Sequence, residues 1–126
     1  ATEFHRELST IFYIKDIITT NWDNYFEEEC NAVPLVTDKD FAFWDSVGRK
    51  VFKIHGSINN YGALVATAQD YKNKYKDLNA GIMGSNLKLT LATKTILFVG
   101  YSFGASDFNK IFGFIKKICH KFTLTT

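Results

Sequence analysis

With 126 residues, the chain has the length of one domain with one core and no room for two. Apolar residues make up 46% and charged residues 22%, a soluble globular balance that excludes a disordered polar chain. The net charge of +2, from 15 basic and 13 acidic residues, is too small to argue for direct nucleic-acid binding or an anionic membrane surface.

Phe4, Leu8, Ile11 and Phe12 recur at helical spacing, so the chain starts with an amphipathic helix. Asp16 to Thr20 (DIITT) is short, β-branched and bounded by polar residues, which predicts a strand. Asp23 to Cys30 (DNYFEEEC) carries acids in its first turns and suits a helix capped by Asp23. Val33 to Val36 reads as a short strand whose Pro34 places it at a sheet edge. Lys50 to His55 is a strand, and Leu64-Val65-Ala66 suggests another. Thr67 with Asp70 three residues on is an acid variant of the capping box, followed by a helix through Lys76. Ile82, Met83, Leu87 and Leu91 mark a further helix after Gly81. Thr95 to Val99 (TILFV) is the most strand-like run in the chain. Phe108, Ile111, Phe112, Ile115 and Cys119 then fall at helical spacing. Helices alternating with strands predict an α/β domain with a largely parallel sheet, occupying residues 1–126 as one unit.

No apolar run approaches the roughly 20 residues of a membrane helix. The opening ATEFH is polar and acidic, unlike a secretion signal, so a cytoplasmic protein is expected. Cys30 and Cys119 lie far apart with no partner at metal-ligand spacing, so free thiols are expected and no metal site. The chain lacks an initiator Met and closes on FTLTT, which reads as a strand just begun. A piece of a longer protein is the expectation.

Three strand ends carry the chemistry. DIITT runs into Thr20-Asn21-Trp22-Asp23, VFKI into His55-Gly56-Ser57, and TILFV into Gly100-Tyr101-Ser102-Phe103-Gly104. Open α/β sheets bind ligands outside the carboxyl ends of their strands. Each cluster has a plain structural reading: Asn21 and Asp23 as caps, His55 bonded to a carbonyl, Gly100 and Gly104 as turn glycines. GYSFG also fits the Gly-x-Ser-x-Gly pattern of a nucleophile elbow, though the next histidine, His120, comes only 18 residues after Ser102. Three such clusters at three strand ends favour a site over three coincidences. Their chemistry suits a nucleotide. Glycine lets backbone N–H groups approach a phosphate or ribose. Serine can bond a sugar hydroxyl, and an imidazole can take a proton from a ribose hydroxyl near neutral pH.

In order and spacing, TTNWD (19–23), KIHGS (53–57), LVATAQDY (64–71) and FVGYSFGASD (98–107) resemble the sirtuin-like domains of bacterial antiphage-defence proteins. The resemblance implies a Rossmann-like fold, a mostly parallel sheet flanked by helices, which binds NAD and breaks its nicotinamide–ribose bond. It implies that Asn21 positions the attacking water, with Thr20 beside it, and that Asp23 lies near the nicotinamide. His55 resembles the catalytic histidine that contacts the ribose hydroxyls, with Gly56 next to it. Gly100 and Ser102 resemble the loop that holds the adenosine side of NAD. It further implies NAD as substrate, no metal, further domains in a longer parent chain, and homo-oligomeric assembly before action. Neither nucleic acid nor membrane is implied as a direct partner.

Two departures from the family pattern matter. The glycine-alanine-glycine turn that cradles phosphates in the family is absent, as it would lie upstream of Ala1. Ala105 stands where relatives often carry an acid. Protein-deacylating sirtuins place four zinc-binding cysteines between the histidine motif and the last glycine motif, and residues 58–97 hold none. The resemblance therefore points to an NAD hydrolase, with a non-catalytic NAD-sensing module as the alternative and a deacylase behind both.

Overall fold

The computed structural model describes residues 1–43, 48–60 and 64–100. The chain divides into two compact units, Ala1–Lys74 and Tyr75–Thr126.

The first unit is built on a three-stranded parallel sheet: β1 (Asp16–Thr19), β2 (Val33–Leu35) and β3 (Lys50–Lys53), in the order β1-β3-β2. β3 is therefore the central strand. Val51 and Phe52, on opposite faces, are both fully buried, as a strand covered on both sides requires. Pro34 lies on the outer strand β2, opposite Val51, where the missing N–H costs the ladder least.

One face of the sheet carries α1 (Glu3–Ser9) and α2 (Tyr25–Cys30), which pack on each other. Leu8, Phe26, Cys30 and Ala32 join Ile17 and Val51 in a single apolar cluster. Burying each large apolar side chain contributes roughly 1.5–3 kcal/mol. Behind the other face, Phe41 from a 3-10 turn (Asp38–Phe43) tilts against Phe52, with ring centroids 6.1 Å apart. The thiol of Cys30 is free and buried, its Sγ 3.4 Å from the His5 carbonyl.

Both first helices are shorter than the sequence suggests. α1 stops at Ser9, leaving Ile11 and Phe12 exposed and outside it. Beyond Ser9 the backbone keeps only single-turn bonds, Ile11 N–H to the Leu8 carbonyl (3.1 Å) and Ile14 N–H to the Ile11 carbonyl (3.3 Å), and the Arg49 guanidinium holds it from across the fold, Nη2 on the Ile11 carbonyl (2.7 Å) and Nε on the Ile14 carbonyl (2.8 Å). α2 begins at Tyr25 rather than Asp23. The Asp23 carboxylate accepts from the Tyr25 N–H (3.1 Å), an Asx turn that precedes the helix instead of joining it. Asn31 closes α2 in the left-handed region, φ 51°, which asparagine tolerates.

The capping box at Thr67 forms as expected. Thr67 Oγ1 accepts from the Asp70 N–H (3.1 Å), and Asp70 Oδ2 accepts from the N–H groups of Thr67 (3.0 Å) and Ala66 (3.2 Å). It starts α3 (Ala68–Ala80), which continues four residues past Lys76 and ends before Gly81. Lys74 Nζ donates to the Val36 carbonyl just beyond β2 (2.9 Å). In the second unit, Gly81 caps α4 (Ile82–Thr93), whose Met83, Leu87 and Leu91 are buried at a spacing of four.

Two expected strands do not form. Leu64–Ala66 is irregular: Val65 makes a backbone bond to the His55 carbonyl (2.9 Å), a contact with a turn rather than a strand edge. Thr95–Val99 has no ladder partner among the described residues, and Leu97 and Val99 are 75% and 57% exposed. Strand propensity is a preference for a pleated, half-buried surface, and without that surface the apolar run stays irregular. The expected helix over 108–119, Cys119 and His120 lie outside the described residues.

Candidate functional site

Parallel pairing of β1 with β3 puts their carboxyl ends side by side, with Thr19 opposite Lys53. Two of the three expected clusters therefore share one rim. Backbone bonds continue past the ladder: the Ile54 N–H donates to the Thr19 carbonyl (3.1 Å), and the Ile58 N–H to the Trp22 carbonyl (2.9 Å). The loop after β1 and the turn after β3 are thus stitched together along their length.

On the β1 side, Asn21 is exposed and its N–H is held by Thr19 Oγ1 (3.1 Å). Thr20 and Asp23 are half-buried. On the β3 side, His55 and Ser57 are buried, 5% and 3% exposed. Gly56 turns between them at φ 90°, a left-handed conformation that favours glycine. Its N–H donates back to the Lys53 carbonyl (3.1 Å). The strand ends at Lys53, two residues short of the expected His55, because Ile54 and His55 already belong to this turn. Asn60 N–H then closes it onto the Ser57 carbonyl (2.9 Å).

The third cluster lies in the second unit, where Thr95–Val99 forms no strand among the described residues. Gly100 is exposed at φ 60°, and a Cβ there would meet nothing within 4 Å. Its glycine is explained by backbone conformation, not by a close neighbour. Ser102 lies outside the described residues.

The residue that sequence reasoning missed is Lys53. It is fully buried. Its Nζ donates to the carbonyls of Trp22 (3.3 Å) and Asp23, to Glu27 Oε2 (2.9 Å), and reaches Ser57 Oγ (3.1 Å). The Lys53–Glu27 pair joins the central strand to the first turn of α2. A lysine inside the run Val51-Phe52-Lys53-Ile54 was the available signal: a central strand buried on both faces cannot leave its lysine wet, so the lysine must find partners. Among the described residues, no three His, Cys, Asp or Glu side chains form a candidate metal site. No described helix is long and apolar enough to cross a membrane.

A family model of the SIR2-like domain matches residues 15–121, from the approach to β1 through both strand ends. The chain belongs to the SIR2-like domain family. This SIR2-like chain is 31% identical over 126 residues to the NAD(+) hydrolase ThsA of Enterococcus faecium, a match covering 91% of this chain and 25% of that protein. It is 26% identical over 108 residues to Defense-associated sirtuin 2 of Bacillus subtilis, covering 81% of this chain and 11% of that protein. The SIR2-like chain therefore spans a quarter or less of the curated relatives it matches. Membership bears out the resemblance seen in the ordered motifs, and the parallel sheet flanked by helices agrees with the Rossmann-like α/β architecture expected from it.

Proposed function

We propose that this domain hydrolyses NAD+ at the nicotinamide–ribose bond and serves antiphage defence by depleting the cell's NAD. The observation that carries the reading is the pairing of β1 with β3, which sets the Asn21 loop against the His55 turn, in a chain 31% identical to an NAD(+) hydrolase.

Nicotinamide is a cationic leaving group, so no acid must protonate it. The bond from its nitrogen to ribose C1′ breaks with the electron pair going to nitrogen, and the ring leaves neutral. Charge builds on the ribose as in other glycosidic cleavages. Water attacks C1′ and loses its proton, giving ADP-ribose. The protein's task is to hold the ribose, place the water and exclude other nucleophiles. In this reading His55 accepts a proton from a ribose hydroxyl or the water. The exposed Asn21 amide orients the water without carrying charge. Thr20, Asp23 and Gly56 line the nicotinamide and ribose end, and Gly100 and Ser102 hold the adenosine end. The domain acts in the cytoplasm within a longer chain that assembles as a homo-oligomer.

The test is nicotinamide release from NAD+ by the complete natural protein beside its His55→Ala variant. Loss of about 10²–10⁴-fold in rate, with folding intact, is the expected result for a general base. Undiminished release by the variant would remove His55 from the chemistry. Binding of NAD+ without any release, by either protein, would favour a sensing module instead.

A further inference from the structure

Lys53 is fully buried and its ammonium is bonded wholly within the protein. We infer that it is a positioning residue: its ammonium group holds the Asn21–Asp23 loop in register with the His55 turn, so that the two halves of the site act on one ribose. The inference rests on the hydrolase reading for its effect on rate.

The geometry supports it in three ways. First, the partners are spread over both halves of the site. Two are main-chain carbonyls of the loop after β1 (Trp22, Asp23), one is the carboxylate of α2 (Glu27), and one is the hydroxyl of the turn after β3 (Ser57). An ammonium has three donors and meets four oxygens here, so its rotation is spent entirely within the protein. Second, the carbonyls it takes are those of the two residues that follow Asn21. Trp22 O also accepts the Ile58 N–H, so Lys53 reinforces the same junction that the backbone makes. Third, Glu27 depends on it. Glu27 Oε1 is buried with no hydrogen-bond partner among the described residues, and Oε2 is held by Lys53. Lys53 is the cation that lets a carboxylate sit beneath this loop.

A purely structural role and a positioning role predict different outcomes once the buried ion pair is replaced as a pair. Lys53→Met alone strands the Glu27 carboxylate and is expected to destabilise the fold. Lys53→Met combined with Glu27→Leu removes both charges and keeps the volume, which for buried pairs is often neutral or stabilising. It does not restore the bonds to the Trp22 and Asp23 carbonyls. In the complete natural protein, the double variant should recover most of the stability that Lys53→Met loses, while kcat for nicotinamide release falls about 10–100-fold and KM changes little. A displacement on the order of 1 Å at a reacting group has that scale of effect. Hydrogen–deuterium exchange should quicken at residues 20–24 and 55–58 and stay unchanged in α1. Wild-type kcat in a folded double variant, or unchanged exchange in the loop, would overturn the inference. If wild type itself releases no nicotinamide, the hydrolase reading fails, while the exchange measurement still decides whether Lys53 holds the loop.

Discussion

The central strand carries a buried cation at each end, and the two do different work. Arg49, just before β3, is 9% exposed and gives its guanidinium to the carbonyls of Ile11 and Ile14. Lys53, the last residue of β3, is fully buried and gives its ammonium to the loop after β1, to α2 and to Ser57. Each secures irregular backbone that has no ladder to join. Arg49 does so at the amino end of the sheet, where it fastens the link between α1 and β1. Lys53 does so at the carboxyl end, where ligands bind in open α/β folds. One chemical device thus serves scaffold at one end and the candidate site at the other, and its position along the strand decides which.

The largest perturbation should abolish this difference. Phe52 lies between the two cations and is fully buried against Phe41. Phe52→Ala is expected to lower stability by about 3–5 kcal/mol, the usual cost of a large core cavity. Urea unfolding should show α1 and the His55 turn melting together, since both hang on β3. Separate transitions would mean that the ends are independent.

Arg49→Met should sharpen the contrast. It takes the guanidinium donors from two carbonyls, of which that of Ile11 keeps the Ile14 N–H (3.3 Å), at about 1–3 kcal/mol. Thermal melting should fall while, on the hydrolase reading, kcat for nicotinamide release by the folded protein holds at the wild-type level. A fall in kcat as large as that of the Lys53 double variant would erase the division between scaffold end and site end.

The smallest effect concerns a bond network outside the sheet. Asp70 has its carboxyl held below the ordinary carboxylate value, first by the Thr67 N–H, then by the Ala66 N–H and the Thr67 hydroxyl, against a slight opposing effect of desolvation. A lowered folded-state value means that the ionised form is favoured by folding. Its contribution is therefore complete above the unfolded value, about 3.9 for aspartate, and is lost as pH falls through the lower folded value. Helix content at the start of α3 should decline in that acid range. Asp70→Asn should remove the pH dependence there and leave both ends of β3 untouched. Amide exchange at residues 67–72 against pH provides the measurement.

Local patterns were readable wherever the deciding contacts are close in sequence. The Thr67–Asp70 box, the buried face of α4 and the edge position of Pro34 follow from spacings of a few residues. The same holds for DIITT, where β-branched residues bounded by polar ones became β1. Boundaries failed where a distant group intervened. Periodicity carried α1 through Phe12, but Arg49, 38 residues from Ile11, claims its carbonyl. TILFV had the strongest strand composition in the chain and made no ladder among the described residues, because propensity supplies no partner.

The site divides the same way. By itself, the sequence determined which residue types end β1 and β3, and the order of its motifs determined the family. That Asn21 and His55 belong to one rim was decided by the tertiary structure, through the β1-β3-β2 order, which no spacing along the chain reveals. So was the role of Lys53, whose partners in the loop and helix lie 26 to 31 residues away. A lysine inside an apolar run announces only that a charge must be satisfied. Where it is satisfied depends on which backbone the fold brings within reach, because an ammonium without water must bond the nearest available oxygens.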